Sequence, residues 1–428
     1  MTPVLRPIRD AGRKASRFLR LLPARKACLL LLGFTLLLKI LLVLAVGTQY
    51  DYRSDDREYL RSARILLEQG TLTYNDPSRP TAFITPAYPA FLAFVMKLTG
   101  STGLAAAQTA RVIQAVLITA ALGLLFRIGS RLFGERTALI AVLLASLYPP
   151  LWLISNFLFT ESLFIPVLFL LIAAALRAEA KPTYANALLF GLAWAAAVYV
   201  RPTVALWPGL FFLLLIVRKR IPFARLLRCG LAAGLVFVLC LAPWWVRNER
   251  VSGGEFIPLT KSSGNPLLLG TYPWTVPALF LDEQKTWHTT DNLWVNDELD
   301  TRHALERLND GFAHRFWVYA SWYTLGKFLL FWGDVFYWMP LPGIPLAAAI
   351  AAHYLLLAAG FVGLYRARRR RDAVTLISLL GYFTLLHMVY LPHSRYALPL
   401  MPIVILFAAS AFTGRSSSLK AKEAVSLP

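Results

Sequence analysis

The sequence predicts an all-α, polytopic membrane protein with about ten transmembrane helices, and three observations predict it. Of 428 residues, 57% are hydrophobic and 16% charged, whereas an ordinary soluble domain carries about 25% charged residues. So few charges could not cover a soluble core of this size. The apolar residues are gathered into runs near the length that crosses a bilayer, roughly 20 residues. The formal net charge of +21 lies between those runs, not spread over a polar surface as in a nucleic-acid binder. Disorder, a secreted disulfide scaffold and a soluble enzyme are excluded, and no nucleic-acid partner is expected.

The first 26 residues are basic, with Arg6, Arg9, Arg13, Lys14, Arg17, Arg20, Arg25 and Lys26. The apolar run 27–46 that follows exceeds a secretory h-region of about 7–15 residues. It predicts an uncleaved first span whose basic flank stays in the cytoplasm. Further spans are expected near 104–126, 137–153, 159–176, 184–200, 203–217, 229–246, 343–365, 373–391 and 396–413. Residues 83–98 are apolar but short and broken by Pro86 and Pro89. Residues 315–338 are rich in aromatics, among them Trp317, Trp322, Trp332 and Trp338, a composition that suits the headgroup boundary. Both are expected as helices lying on the outer surface. The organisation expected is a cytoplasmic tail 1–26, a transmembrane domain 27–413 with exterior segments 47–103 and 247–342, and a cytoplasmic tail 414–428.

Charge tests this topology. The segments assigned to the cytoplasm (1–26, 127–136, 177–183, 218–228, 366–372 and 414–428) hold 26 of the 44 Lys and Arg and five of the 23 acids. They account for the whole +21, and every loop obeys the positive-inside rule. Counting 315–338 as a span would put Arg366–Arg371 outside. No repeat of fixed period is visible. Cys28, Cys229 and Cys240 lie in or beside apolar runs and read as small buried residues. The six histidines form no metal-ligand pattern, and there is no P-loop or Gly-rich phosphate fingerprint. Metal binding is not indicated, although a divalent ion remains compatible with the sequence.

Directly after the first span comes Tyr50-Asp-Tyr-Arg-Ser-Asp-Asp-Arg-Glu-Tyr59. Ser54 is a good N-cap, apolar residues recur at helical spacing through Tyr59, Ala63, Leu66 and Leu67, and Gly70 ends the run. Residues 55–69 therefore predict an amphipathic helix on the membrane surface. Asp55 and Asp56 have two readings. They complement the macrodipole of a first helical turn, or one of them takes a proton from an attacking hydroxyl.

Ionisable side chains also recur near the outer ends of spans: Arg111 between Gln108 and Gln114, Glu161 at the start of the fourth, Arg201 before Pro202, Arg247 and Asn248 closing the seventh, and Arg395 with Tyr396 opening the tenth. Each alone reads as an interfacial anchor, as does Lys39 in the first span. Together, four arginines at the outer mouth below two acids make a site for an anionic ligand, because guanidinium groups hold phosphate bidentately and stay charged when partly buried. A lipid phosphate entering from the outer leaflet would meet them.

These motifs, with Thr85-Pro-Ala-Tyr-Pro89, Thr160-Glu-Ser-Leu163, Pro243-Trp-Trp-Val-Arg-Asn248, Gly264-Asn265 through Gly270 and Arg395-Tyr-Ala-Leu-Pro399, resemble in order and spacing the GT-C glycosyltransferases over about residues 27–413. The nearest group is the bacterial membrane relatives of the dolichyl-phosphate-mannose protein mannosyltransferases and of aminoarabinose lipid A transferase. The resemblance implies a polyprenyl-phosphate sugar donor, transfer at the exterior face of a bacterial cytoplasmic membrane, and an envelope acceptor that is lipid, glycan or protein. It implies Asp55 as the base, with Asp56 where relatives carry a second acid, and Tyr59, Tyr88, Arg111, Glu161, Arg201, Arg247, Asn248, Arg395 and Tyr396 as donor- or acceptor-binding residues. Relatives often carry Pro-Pro-Gly-Tyr-Pro or a lysine where this chain has Thr85–Pro89, and some carry a large C-terminal exterior domain that is missing here. A polyprenyl phosphate leaves as a stabilised anion, so one base suffices where a glycosidase needs two carboxylates, and inversion is expected. The competing expectations are a transporter or flippase of an anionic lipid or lipid-linked sugar, whose mark would be discontinuous helices at mid-bilayer, and a scaffold subunit of an envelope-polysaccharide assembly.

Overall fold

The computed structural model describes residues 23–50, 54–219, 221–274, 292–335 and 343–413. Most of the tails 1–26 and 414–428 lies outside the described residues, as do parts of the exterior segments. Among the described residues the secondary structure is helical, apart from one isolated bridge between Tyr74 and Asp76.

Each expected span coincides with helix. They are α1 (Ala24–Val46), α4 (Leu104–Phe133), the pair α5 (Glu135–Ser146) and α6 (Pro150–Asn156), α7 (Glu161–Ala180), α8 (Tyr184–Val200), α9 (Trp207–Val217), α10 (Phe223–Ser252), α15 (Leu346–Ala367), α16 (Val374–Val389), and α17 (Ser394–Ala397) running through a short 3-10 turn into α18 (Met401–Thr413). Six of these segments are long and apolar enough to cross a membrane unaided. The expected span 137–153 is instead broken, with α5 and α6 bent by 58°, because Pro149 and Pro150 cannot continue the hydrogen-bond ladder of α5. Residues 184–200, 203–217 and 373–391 form shorter apolar helices.

Burial sorts the spans. In α18 every residue from Met401 to Ala409 is buried, so it runs through the middle of the bundle. Helix α7 is buried except along one stripe, Leu163, Val167, Leu170, Ala173 and Arg177. In α1 only a stripe of Ala27, Cys28, Thr35, Lys39 and Val43 faces inward, while Leu29, Leu30, Phe34, Leu37, Leu41 and Leu44 are exposed, as expected for a peripheral helix whose outer face meets lipid. Close packing of α15 on α18 depends on absent side chains. A Cβ on Gly363 would collide with the carbonyl of Phe407, and one on Gly360 with Val404, which is the small-residue approach typical of helices in lipid.

Between α1 and α4 lie α2 (Asp55–Gln69) and α3 (Ala87–Thr99). Helix α2 keeps the bounds expected from sequence, its last turn closed by Gly70 in the left-handed conformation (φ 70°) with its N–H on Leu66 O. Helix α3 is the short helix expected within 83–98, and it packs against both α2 and α4. After α10 come α11 (Gly264–Leu269), α12 (Leu293–His314), α13 (Phe316–Ser321), a π-turn over Trp322–Gly326, and α14 (Lys327–Gly333). The expected aromatic helix over 315–338 is thus interrupted, and its last residues lie outside the described ones.

Candidate active site at the helix ends

Four charged side chains from distant parts of the chain meet where helices end. Asp55 is the first residue of α2, Glu161 the first of α7, Arg201 the C-cap of α8 and Arg395 the second of α17. Three of these positions suit the helix macrodipole, which favours an acid at the N-termini of α2 and α7 and a cation at the C-terminus of α8. Arg201 Nη1 lies 2.7 Å from Glu161 Oε1. Arg395 bridges the two acids, with Nη1 2.6 Å from Asp55 Oδ2 and Nε on Glu161 Oε1. Glu161 is fully buried, and the side chains of Arg201 and Arg395 are 13% and 12% exposed. That of Asp55 is 34% exposed, so Asp55 is the member of the cluster that water reaches most easily.

Aromatic rings line the group. The Arg395 guanidinium lies 4.0 Å from the centroid of Phe159, and that of Arg201 4.9 Å from Tyr396. Both cations thereby gain ring-face attraction in a partly desolvated setting. The second oxygen of Asp55 is also held, since Tyr74 donates its hydroxyl to Oδ1 at 3.0 Å. Tyr74 is buried against Tyr59 and stacked on Phe83. Burial and the neighbouring Asp55 charge push its phenol far above the ordinary tyrosine value, so it stays a proton donor. Tyr59 is held up for the same reasons. Beside Tyr74 opens a cavity of about 330 Å³, lined also by Asp76, Arg79, Thr81, Asn292 and Trp294.

The remaining expected residues stand elsewhere. Asp56 is buried and turned back on its own helix, accepting the Ser54 N–H at 2.9 Å. The capping is thus the reverse of the expected one: the Ser54 hydroxyl makes no cap bond. Arg111 joins no ion pair with the acids of the cluster. It donates to Asn156 O at 2.8 Å, Gln108 Oε1 at 3.0 Å and Tyr50 O at 3.4 Å, serving the carbonyls exposed where α1 and α6 end. Arg247 spans the loop after α2, donating to Leu72 O at 3.3 Å and to Thr81 O. Asn248 donates to Ile257 O at 3.1 Å. Tyr88 is buried with its hydroxyl on Gln114 Oε1 at 2.7 Å. The expected ring of four arginines is therefore a pair, and two carboxylates balance it, so the four charges sum to zero.

Comparison with known proteins bears on this arrangement. The family model described as dolichyl-phosphate-mannose-protein mannosyltransferase matches residues 79–246. That stretch includes Tyr88, Arg111, Glu161 and Arg201, while Asp55 and Arg395 lie outside it. The oligosaccharyltransferase of Archaeoglobus fulgidus in its apo form superposes with a TM-score of 0.53 at 14% identity, covering 92% of this chain and 51% of that one. The chain shares the fold of that enzyme. A second structure of that archaeal enzyme, in complex with an inhibitory peptide and a dolichol-phosphate, gives 0.53 at 12% identity with the same coverages. ArnT from Cupriavidus metallidurans bound to undecaprenyl phosphate gives 0.45 at 17% identity, covering 92% of this chain and 79% of that one. The chain spans about half the length of the archaeal enzyme it matches. No curated protein matches it.

Sequence reasoning missed Tyr74, nineteen residues from its partner, because no spacing rule links a loop tyrosine to a helix N-terminus. It also missed Phe159 beneath Arg395. The mark available for Phe159 was its aromatic neighbourhood, Asn156-Phe-Leu-Phe159, next to Glu161.

Proposed function

We propose that this chain is a membrane glycosyltransferase that moves a sugar from a polyprenyl-phosphate donor to an envelope acceptor at the exterior face, with inversion at the anomeric carbon. The observation that carries the reading is the chain of contacts Tyr74–Asp55–Arg395–Glu161–Arg201. One carboxylate is about a third exposed to water, backed by two guanidinium groups that a fully buried acid fixes in place. Such a pair suits a departing lipid phosphate, whose developing charge it neutralises without reorganising. Asp55 is the base in this reading. Its ion pair with Arg395 ties it up, and a donor phosphate that takes Arg395 as partner leaves the carboxylate able to accept the acceptor's proton. The acceptor enters by the cavity beside Tyr74. The archaeal oligosaccharyltransferase of like fold was captured with a dolichol-phosphate, which supports a lipid-phosphate donor here. A bacterial cytoplasmic membrane with both termini inside follows from the charge distribution and the family resemblance.

Transfer of labelled sugar from a polyprenyl phosphate by the purified protein is the test. Asp55→Asn is expected to lower turnover by about 10²–10⁴-fold, the usual worth of a positioned base. Asp56→Asn is expected to keep most activity, because that carboxylate serves its own helix terminus. Full activity in Asp55→Asn would sink the assignment.

One observation favours a second reading, transport or flipping of a lipid-linked sugar: the break between α5 and α6 is the discontinuous helix that such proteins use. Lys39 from α1 reaches α6 just beyond that break, donating to Leu151 O and to Ser155 Oγ at 3.2 Å. Movement of a labelled lipid-linked sugar across liposomes, undiminished by Asp55→Asn, would favour transport.

A further inference from the structure

At the other end of the bundle, helices α4, α7 and α8 enclose a groove of about 430 Å³. Its walls are apolar, with Leu124 and Ile128 from α4, Ala173 from α7 and Leu189 from α8 among them, and three arginines, Arg127, Arg131 and Arg177, stand at it. Leu170 and Leu189 are about half exposed, so the groove opens sideways, where a membrane protein meets acyl chains. All three arginines are exposed. Arg131 Nη2 donates to Leu176 O at 3.0 Å, at the open end of α7. Among the described residues none of the three has a carboxylate within ion-pair distance, and the nearby Glu179 is taken by Arg218 and Thr375.

Depth in the membrane follows from helix rise. Arg127 lies sixteen residues after Arg111 on α4, and Arg177 sixteen after Glu161 on α7. At about 1.5 Å per residue each pair is separated by roughly 24 Å along its helix. That is most of a hydrocarbon core of about 30 Å. The groove therefore lies at the membrane interface opposite the Asp55 cluster. It has the two features a phospholipid needs: an apolar slot open to the bilayer, and uncompensated cations at headgroup depth.

We infer that this groove binds an anionic phospholipid of the leaflet opposite the candidate active site, with an acyl chain between α4, α7 and α8 and the phosphate against Arg127, Arg131 and Arg177. Zwitterionic lipids share the acyl chain but not the net charge, so they should bind much less firmly. The inference does not depend on the glycosyltransferase reading.

The probes are cardiolipin and phosphatidylglycerol, with phosphatidylcholine as the neutral comparison, added to the delipidated full-length protein and counted by native mass spectrometry. The wild type is expected to retain one anionic lipid preferentially. Arg127→Gln/Arg131→Gln/Arg177→Gln is expected to lose about tenfold or more in occupancy, since polybasic contacts act together near a charged surface. Ala173→Phe fills the slot without changing charge and should weaken the same lipid. Arg225→Gln/Arg228→Gln removes charge elsewhere and should leave it bound. Equal loss in the Arg225/Arg228 variant would mean that bulk charge alone attracts the lipid, and overturns the site. Unchanged binding in both groove variants overturns it as well. A parallel shift of the melting temperature on adding cardiolipin, seen in wild type and absent in the triple variant, checks that the variants are folded and that the lipid acts on the native state.

Discussion

At the scale of single residues, the candidate site depends on groups that hold other groups. Tyr74 donates to Asp55 Oδ1 and remains protonated because burial and the adjacent charge hold its phenol far above the ordinary range. Removing that donor loosens the hold on Asp55 Oδ1. For Tyr74→Phe we therefore expect turnover lower by about tenfold, the worth of one hydrogen bond to a charged group. KM for the donor should stay near its wild-type value. A lower melting temperature with unchanged turnover would make Tyr74 a packing residue only. Glu161 is a second holding group. It is fully buried between Arg201 and Arg395, and Glu161→Gln strips Arg201 of its ionic partner. Breaking a buried pair from one side costs about 3 kcal/mol or more, so the melting temperature in detergent should fall clearly. In a double-mutant cycle, adding Arg201→Gln should restore part of the loss. Asp55, Glu161, Arg201 and Arg395 were all legible in the sequence as charges at the ends of apolar runs. Their pairing was not, because 340 residues separate Asp55 from Arg395 and no local pattern encodes which ends meet.

At the scale of elements, local rules served well wherever a helix is ended by its own residues. Helix α2 keeps its expected bounds and ends at Gly70 as the pattern predicts, although Asp56 and not the Ser54 hydroxyl makes the cap bond; the prolines at 149 and 150 break the third span, where a continuous one was expected. They served less well where tertiary partners do the holding. The link Tyr390–His393 between α16 and α17 carries no turn signal beyond Pro392, yet it sets the position of Arg395. Lys327 in α14 donates to Val389 O at 2.8 Å and Tyr390 O at 3.1 Å. Ser394 donates to Asp334 at 2.7 Å, and His393 Nδ1 accepts the Arg395 N–H at 3.1 Å. That last bond requires an unprotonated Nδ1. Burial first, then the nearby Arg395 charge, hold His393 down to about 4, with Glu161, Arg201 and His387 as its other charged or titratable neighbours. A folded value below the unfolded value of about 6.5 means that the unfolded chain takes the proton first. The contribution to stability is thus fully present above about pH 6.5 and is lost as pH falls toward 4. His393→Asn keeps an acceptor and removes the titration. Its melting temperature should decline less than that of the wild type between pH 6.5 and 4. Parallel declines would show that His393 does not govern this range.

At the scale of the whole molecule, the net charge and the site are two halves of one arrangement. The segments expected in the cytoplasm carry the full +21, and the described ones, around Arg127, Arg131 and Arg177, lie at the helix ends opposite Asp55 and Glu161. The four-charge cluster is neutral, so the protein presents a strongly basic face to one side and a balanced site to the other. If the positive-inside rule sets this orientation, the α2 surface is exterior and the link between α7 and α8 is cytoplasmic. Both positions are open to labelling: Gln69 and Lys181 are exposed, while Cys28 and Cys229 are buried and Cys240 is half-buried. In a background with the three native cysteines replaced by alanine, Gln69→Cys should react with a membrane-impermeant maleimide in intact cells. Lys181→Cys should react only after the membrane is opened. The reverse result would place the Asp55 cluster on the cytoplasmic side, where transfer at the exterior face is ruled out whatever the chemistry of the site. Labelling of both positions from outside would instead mean that the segments between them, α4 through α7, cross the membrane an even number of times. Orientation, more than any single side chain, therefore decides which pool of acceptors the protein meets.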